Sequence, residues 1–262
     1  MESFEQNRVS WNELTRMHVE SEFYNVNGFK NGETSLNHIE IEALGDVKGK
    51  KILHLQCHFG LDTLSLARMG GEVVGVDISD ASIEKAKELA TELNIHARFI
   101  RSNVYEIEKV LDEQFDIVYT SYGAINWLHD LDEWARLIKR FLKPGGLFYM
   151  VEFHPYSYSL NEKGVIAYPY FNTEAIESIV EKTYTDNTEV AQADLKHIEW
   201  HHSISEVLNS LIGQGLTIQQ FDEYPYQVYN CFPGMKEIEP GKWVYEKYGT
   251  LIPHMYAVKA FN

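Results

Sequence analysis

Cysteine is scarce in this chain: among 262 residues there are two, Cys57 and Cys231, far apart and in no C-x-x-C pairing. That usage suggests neither a disulfide framework nor a cysteine-built metal centre. Basic residues are also few, 23 Lys and Arg against 39 Asp and Glu, for a net charge of −16. A field of that sign repels phosphodiester backbones, so nucleic acid is not an expected partner. No window approaches about 18 uninterrupted apolar residues, and the start, MESFEQNRVSWNEL, lacks a basic segment followed by an apolar run. No membrane association is expected, and the chain reads as a cytoplasmic protein. Internal repeats and low-complexity tracts are missing as well.

Aromatic residues, by contrast, make up 13 % of the chain, with 16 Tyr, and they need a location. The length suits one α/β core with an appended lid. The organising stretch is Lys51 to Ser79. An apolar run, Lys51 to Leu55, enters a loop at Gln56 to Gly60, and Leu61, Leu64 and Ala67 then recur at helical spacing until Gly70 and Gly71. A second apolar run, Glu72 to Val76, ends on Asp77. Ligands of open α/β sheets bind beyond the carboxyl ends of the strands, and an acid about 20 residues past the first loop is placed to accept hydrogen bonds from ribose hydroxyls.

Ahead of this unit, Ser10 and Glu13 form a capping box before Trp11, Leu14 and Met17. Glu22 to Thr34 reads as a loop, and Ser35 to Leu44 as a short helix closed by Gly45. Residues 1–44 are therefore expected to be a helical lid or a flank. A crossover helix is expected over Ala81 to Leu93, with strands at Ala97 to Arg101 and Phe115 to Thr120. An amphipathic helix on Leu131, Trp134, Ile138 and Phe141 leads to a fifth strand, Leu147 to Phe153. The core thus spans 45–153 and resumes at 203–262 with a helix from Ser203 and strands at Thr217 to Glu223 and His254 to Ala260. Those last two, joined without a helix, should be antiparallel. Residues 154–202 form an aromatic-rich insertion with a hairpin near Val180 to Tyr184 and Lys196 to Trp200.

That order resembles the class I S-adenosylmethionine-dependent methyltransferases, closely over Val47 to Arg140. The resemblance implies an α/β fold with a Rossmann-like, doubly wound seven-stranded sheet in the order 3-2-1-4-5-7-6, strand 7 antiparallel. It also implies S-adenosylmethionine as cofactor and a small-molecule methyl acceptor. The family's first loop reads acid-x-Gly-x-Gly-x-Gly. Here those positions hold His54, Gln56, His58 and Gly60, so the acid and two glycines are replaced. A pyrophosphate could not approach such a loop, which disfavours an NAD-dependent oxidoreductase, whereas a sulfonium cofactor needs no phosphate cradle. By resemblance Asp77 takes the ribose, Ile78 the adenine face, Asn103 and Val104 the adenine surroundings, and Ser121 the methionine portion. With the loop acid replaced by His54, Tyr24 and loop carbonyls near Gln56, Cys57 and Gly60 are expected to meet the amino group. The plainer readings are a helix cap for Asp77, a small loop residue for Cys57, and turn chemistry for Asn103 and Ser121.

Methyl transfer is an in-line displacement governed by positioning and exclusion of water, with a proton to remove from most acceptors. His154, His201 and His202, with Glu152, are the expected catalytic candidates, and His129 is a further one. Their plain alternative is hydrogen bonding within the fold. His197, His201 and His202 raise a metal pattern without an E-x-x-H context, so no metal is expected. The aromatic insertion fits an aromatic or amine acceptor. A cofactor-binding sensor or partner subunit is the alternative function, though it would not need so large an aromatic insertion.

Overall fold

The computed structural model describes residues 2–172, 174–185, 188–190 and 195–262. In chain order the helices are α1 (Glu2–Glu20), α2 (Val26–Lys30), α3 (His38–Leu44), α4 (Leu61–Arg68), α5 (Asp80–Glu92), α6 (Leu131–Phe141) and α7 (Ile204–Gly213). The strands are β1 (Lys51–Leu55), β2 (Glu72–Asp77), β3 (Arg98–Arg101), β4 (Phe115–Ser121), β5 (Leu142–Phe153), β6 (Ile176–Ile179), β7 (Lys196–Glu199), β8 (Thr217–Tyr224), β9 (Met235–Glu239), β10 (Lys242–Tyr245) and β11 (Met255–Phe261). Seven of them form one sheet in the order β3-β2-β1-β4-β5-β11-β8. Strands β1 to β5 run parallel, and β11 lies antiparallel between β5 and β8. This is the expected topology.

Alternating apolar side chains define the two faces of that sheet. Leu53, Val74, Val118, Phe148 and Tyr256 turn to the side covered by α6 and α7, and Ile52, Val73, Ile117, Leu147 and Met255 to the other. Three helices begin where a short polar side chain accepts a hydrogen bond from an otherwise unpaired first-turn amide. Ser79 caps α5, Asp130 caps α6 and Ser203 caps α7. In α6 the acids Asp132 and Glu133 sit in the first turn and Lys139 and Arg140 in the last, each matched to the helix dipole.

Several boundaries differ from expectation. Ser10 does not cap a helix, because α1 begins eight residues earlier, at Glu2, and Ser10 lies buried in it, donating to the Lys196 carbonyl. The loop at 22–34 contains α2, which starts from Asn25 in a left-handed conformation with its side chain accepting from the Gly28 amide. Strand β5 starts at Leu142, five residues before Leu147. The insertion does hold an antiparallel hairpin, but β7 pairs with Ile176–Ile179 and not with Val180 to Tyr184. Between β8 and β11 lies a second hairpin, β9 with β10.

Polar clamps fix the N-terminal segment over the carboxyl edge of the sheet. Asn7 donates to the Ile198 carbonyl and accepts from the Ile198 amide, both at 2.8 Å. The Asn12 side-chain oxygen accepts from the Ser79 hydroxyl at 2.8 Å and the Ala81 amide at 3.1 Å. Helix α1 thereby bridges the β6–β7 hairpin and the start of α5.

Candidate active site

Strand β1 delivers the chain into Gln56 to Gly60, and the backbone there keeps the shape that glycines would give. Gln56, His58 and Gly60 have φ of 56°, 50° and 80°. A left-handed conformation costs a residue with a side chain roughly 1–2 kcal/mol, so something must hold it. Gln56 donates to the Ala124 carbonyl at 2.6 Å. The His58 ring bonds Ser82 at 3.0 Å and His18 at 3.1 Å. The third position has no such freedom. A Cβ on Gly60 would sit 2.6 Å from the Phe99 ring, so a side chain there meets a wall as well as strain.

Asp77 closes this loop from the end of β2. One carboxylate oxygen accepts from the His58 amide and the other from the Ser79 amide, each at 2.8 Å. Burial raises its pKa to about 6, against the pull of those amides. The helix cap is Ser79, so Asp77 instead ties β2 to the loop, with lone pairs left for a ligand. Cys57 is a buried thiol whose pKa burial pushes up. A Cβ on Gly75 would lie 2.8 Å from its sulfur, so the loop packs tightly on β2 at this point.

Two adjoining cavities open at this edge. The smaller, about 110 Å³, is lined by Asp77, Ile78, Ser102, Asn103 and Val104 below, with Phe4, Asn7 and Trp11 of α1 among its other walls. The larger, about 460 Å³, is lined by Cys57, Gly60, His54 and Asp62 on one side and by Phe153, Tyr158, Glu199, Cys231 and Phe232 on another. Trp11, Tyr24, Gln56, His58, Ser121, Tyr122, Gly123, Trp127 and Tyr184 belong to both. All nine residues expected at the cofactor, namely Tyr24, Gln56, Cys57, Gly60, Asp77, Ile78, Asn103, Val104 and Ser121, line one cavity or both. Asn103 also performs turn chemistry, since its side-chain oxygen accepts from the Tyr105 amide at 3.1 Å.

The expected catalytic candidates lie elsewhere. Glu152, His154, His201 and His202 line neither cavity. Glu152 accepts from the amides of Gly123, Ala124, Ile125 and Phe153, a nest that fixes the loop after β4 and occupies its carboxylate. His154 accepts from the Tyr156 amide at 3.1 Å and faces Glu223 at 3.1 Å. His202 spends both ring nitrogens, on Glu206 at 2.9 Å and the Leu128 carbonyl at 2.7 Å. His201 stacks on the cavity-lining Tyr158 at 4.6 Å and lies 3.8 Å from the cavity-lining Glu199. His129 packs against Phe4 and Tyr105, at a shallower groove. Among the described residues no group of three or more His, Cys, Asp or Glu side chains is arranged to hold a metal ion.

Asp62 and Glu199 are the site residues that sequence reasoning missed. Asp62, in the first turn of α4, accepts from the Ser121 hydroxyl at 3.4 Å, and burial raises its pKa to about 6. His54 holds the position of the family's acid, but burial lowers its pKa to about 3 and its Nε2 has no hydrogen-bond partner. It is a neutral ring beside Asp62. The signal for Asp62 was there in Gly60-Leu61-Asp62: an acid just past the last glycine, where a helix N-terminus favours negative charge.

Comparisons with known proteins agree with this geometry. Residues 52–146 match the model of a methyltransferase domain. An uncharacterised methyltransferase of Synechocystis is 32% identical over 129 residues, covering 47% of this chain and 56% of that protein. A ubiquinone biosynthesis O-methyltransferase of Alkalilimnicola ehrlichii is 30% identical over 119 residues, 45% of this chain and 48% of that one. The chain thus spans about half the length of these curated relatives. A solved S-adenosylmethionine-dependent methyltransferase of Mesorhizobium loti superposes with a TM-score of 0.57 at 20% identity, over 89% of this chain and 100% of that one. One of Clostridium acetobutylicum gives 0.56 at 15% identity, over 96% and 95%. Those two likenesses speak to the fold. The matched domain and the strand order are those of the class I methyltransferases, which take S-adenosylmethionine as cofactor.

Proposed function

We propose that the protein transfers a methyl group from S-adenosylmethionine to a small organic acceptor held in the larger cavity. The observation that carries this reading is the pair of adjoining cavities at the carboxyl edge of the sheet, one walled by residues suited to a nucleoside and the other by aromatic rings. When bound, S-adenosylmethionine supplies a methyl group activated by its sulfonium. In this reading Asp77 receives the ribose hydroxyls, Ile78 and Val104 flank the adenine, and Asn103 offers it its side-chain NH2. The amino group goes to Asp62, whose buried carboxylate has hydroxyl neighbours and no ion pair among the described residues. Tyr24, Gln56, Cys57, Gly60 and Ser121 complete that end. His201, beside Glu199, is the best-placed of the expected bases to receive a proton from an acceptor.

Residues 1–44 and 154–202 serve in this reading as the covers of the site, since α1, Tyr184 and Glu199 wall the cavities. Water exclusion by such covers is what an in-line displacement requires. The larger cavity suits a small molecule and the net charge disfavours nucleic acid. No helix among the described residues is long and apolar enough to cross a membrane. The cytoplasm is the proposed setting, in keeping with two free cysteines.

Calorimetry with S-adenosylmethionine and NAD side by side tests the cofactor half. Binding of the first and silence from the second is expected, and the reverse would sink the proposal. Asp62→Asn should weaken cofactor binding about tenfold, the scale of one charge-assisted hydrogen bond. Incubation with a metabolite extract should release S-adenosylhomocysteine, and persistent failure across extracts would favour a cofactor sensor.

A further inference from the structure

The acceptor end of the larger cavity has a carboxylate whose counter-charge the protein does not supply. Strand β7 fixes its placement. Ile198 is buried and clamped to Asn7 by two hydrogen bonds of 2.8 Å, which sets the phase of the strand. Alternation then turns Glu199 to the opposite side, and Glu199 lines the cavity. One residue on, the Trp200 amide donates to the Asn126 carbonyl at 2.8 Å, so the end of the strand is pinned to the loop after β4.

Glu199 is held there with little to bind. Among the described residues its carboxylate accepts no hydrogen bond, and the nearest group able to carry positive charge is His201, at 3.8 Å. Its side chain is only 24% exposed. The surroundings are aromatic. Tyr158 stacks on His201, and Phe232 meets Tyr158 edge-on at 5.5 Å and Phe153 at 5.3 Å. No Lys or Arg lines the cavity among the described residues, and Asp62 and Glu199 are its only acids. A partly buried carboxylate faced only by the imidazoles of His201 and His197 is poorly compensated, and a cation among aromatic rings is favourable.

We propose that the acceptor is an amine, bound as its ammonium form to Glu199 with the rings of Tyr158 and Phe232 around it, and that its nitrogen becomes the nucleophile only after passing a proton to His201. The inference rests on the reading of the larger cavity as the acceptor site. Carboxylate and phosphate acceptors are disfavoured by the same charges, which leaves neutral phenols as the competing class.

Three phenols of one shape separate these classes: tyramine, 4-ethylphenol and 4-hydroxyphenylacetate, carrying a cation, no charge and an anion. Their binding is measured by calorimetry on the full chain saturated with S-adenosylhomocysteine, whose own binding is recorded first. Tyramine should bind about tenfold or more tightly than 4-ethylphenol, with 4-hydroxyphenylacetate weakest, as expected for one charged hydrogen bond. Glu199→Gln should erase the tyramine advantage while leaving 4-ethylphenol within about twofold. Glu199→Asp, which keeps the charge on a shorter arm, should retain part of it and guards against a folding defect in the amide variant. Equal binding of the three probes, or a tyramine advantage that survives Glu199→Gln, overturns the inference. If S-adenosylhomocysteine itself fails to bind the wild-type chain, the methyltransferase reading falls instead.

Discussion

The two ends of the site are built from different kinds of chain. At the proposed cofactor end most walls are strand ends and the short loops that leave them, Gln56 to Gly60 after β1, Asp77 and Ile78 after β2, Asn103 and Val104 after β3 and Ser121 after β4, with Phe4, Asn7 and Trp11 of α1 across from them. At the acceptor end the walls come from segments far apart in sequence, joined by contacts such as Tyr24 with Tyr184 and Asn7 with Ile198. The first arrangement is dictated by the register of a parallel sheet, so its geometry survives changes of side chain. Gln56 and His58 show this, holding glycine-like backbone angles without being glycine. The second depends on packing, so each residue must be argued from its own neighbours.

The strongest way to break that contrast is Asp77→Ala. One side chain both ties the loop to β2 and faces the smaller cavity, so cofactor affinity should fall by about 1.5–3 kcal/mol, the range for hydrogen bonds to a charged group. Unchanged affinity by calorimetry would mean that the loop shape alone suffices. Glu152→Gln should lower stability by about 1–3 kcal/mol in thermal or denaturant unfolding, because an amide cannot accept from all four backbone donors now served. A residual activity with an unaltered pH profile would confirm a scaffold role, and a lost basic limb would restore Glu152 as a base.

A smaller effect is expected from acidity. Asp62 and Asp77 titrate near 6 in the folded chain, above the ordinary 3.8, because they are buried. Cofactor contact needs both ionised, so affinity should be full above that range and drop about a hundredfold from pH 7 to pH 5, about tenfold for each carboxylate. The sign for the cofactor-free fold is opposite. Both groups bind protons more tightly folded than unfolded, so their contribution to stability is complete below about pH 4 and is lost as pH rises through 6. Parallel calorimetric and melting series would separate the two trends. Smallest of all should be Cys57→Ala, with cofactor affinity unchanged within about twofold, since the buried thiol stays protonated. A large loss would reopen a chemical role for it.

What could be read beforehand follows the same division. The apolar runs and the acid at Asp77 located the strands and the ligand edge, because alternation and crossover helices leave few other arrangements. The histidines were harder to place, for a physical reason. A sequence does not show where a ring nitrogen finds its partner, and His154 and His202 find theirs on Glu223, Glu206 and backbone groups. Glu152 was correctly placed at the end of β5, but the amides of the loop after β4 claim it. Asp62 was not singled out because the family's acid is sought at the end of β1, where His54 stands, and not eight positions later in the first turn of α4.

Trp11, with Tyr24 and Tyr184, walls both cavities from the segments proposed as covers. Trp11 of α1 stands edge-on to both His58 at 5.3 Å and Trp127 at 5.2 Å. A movement of α1 that admits the cofactor therefore also dismantles the wall against which the acceptor rests. The kinetic consequence is an ordered sequence, cofactor on first and off last. Inhibition by the methylated product reads it: that product should be noncompetitive against both substrates, whereas in a random order at rapid equilibrium it would compete with the acceptor.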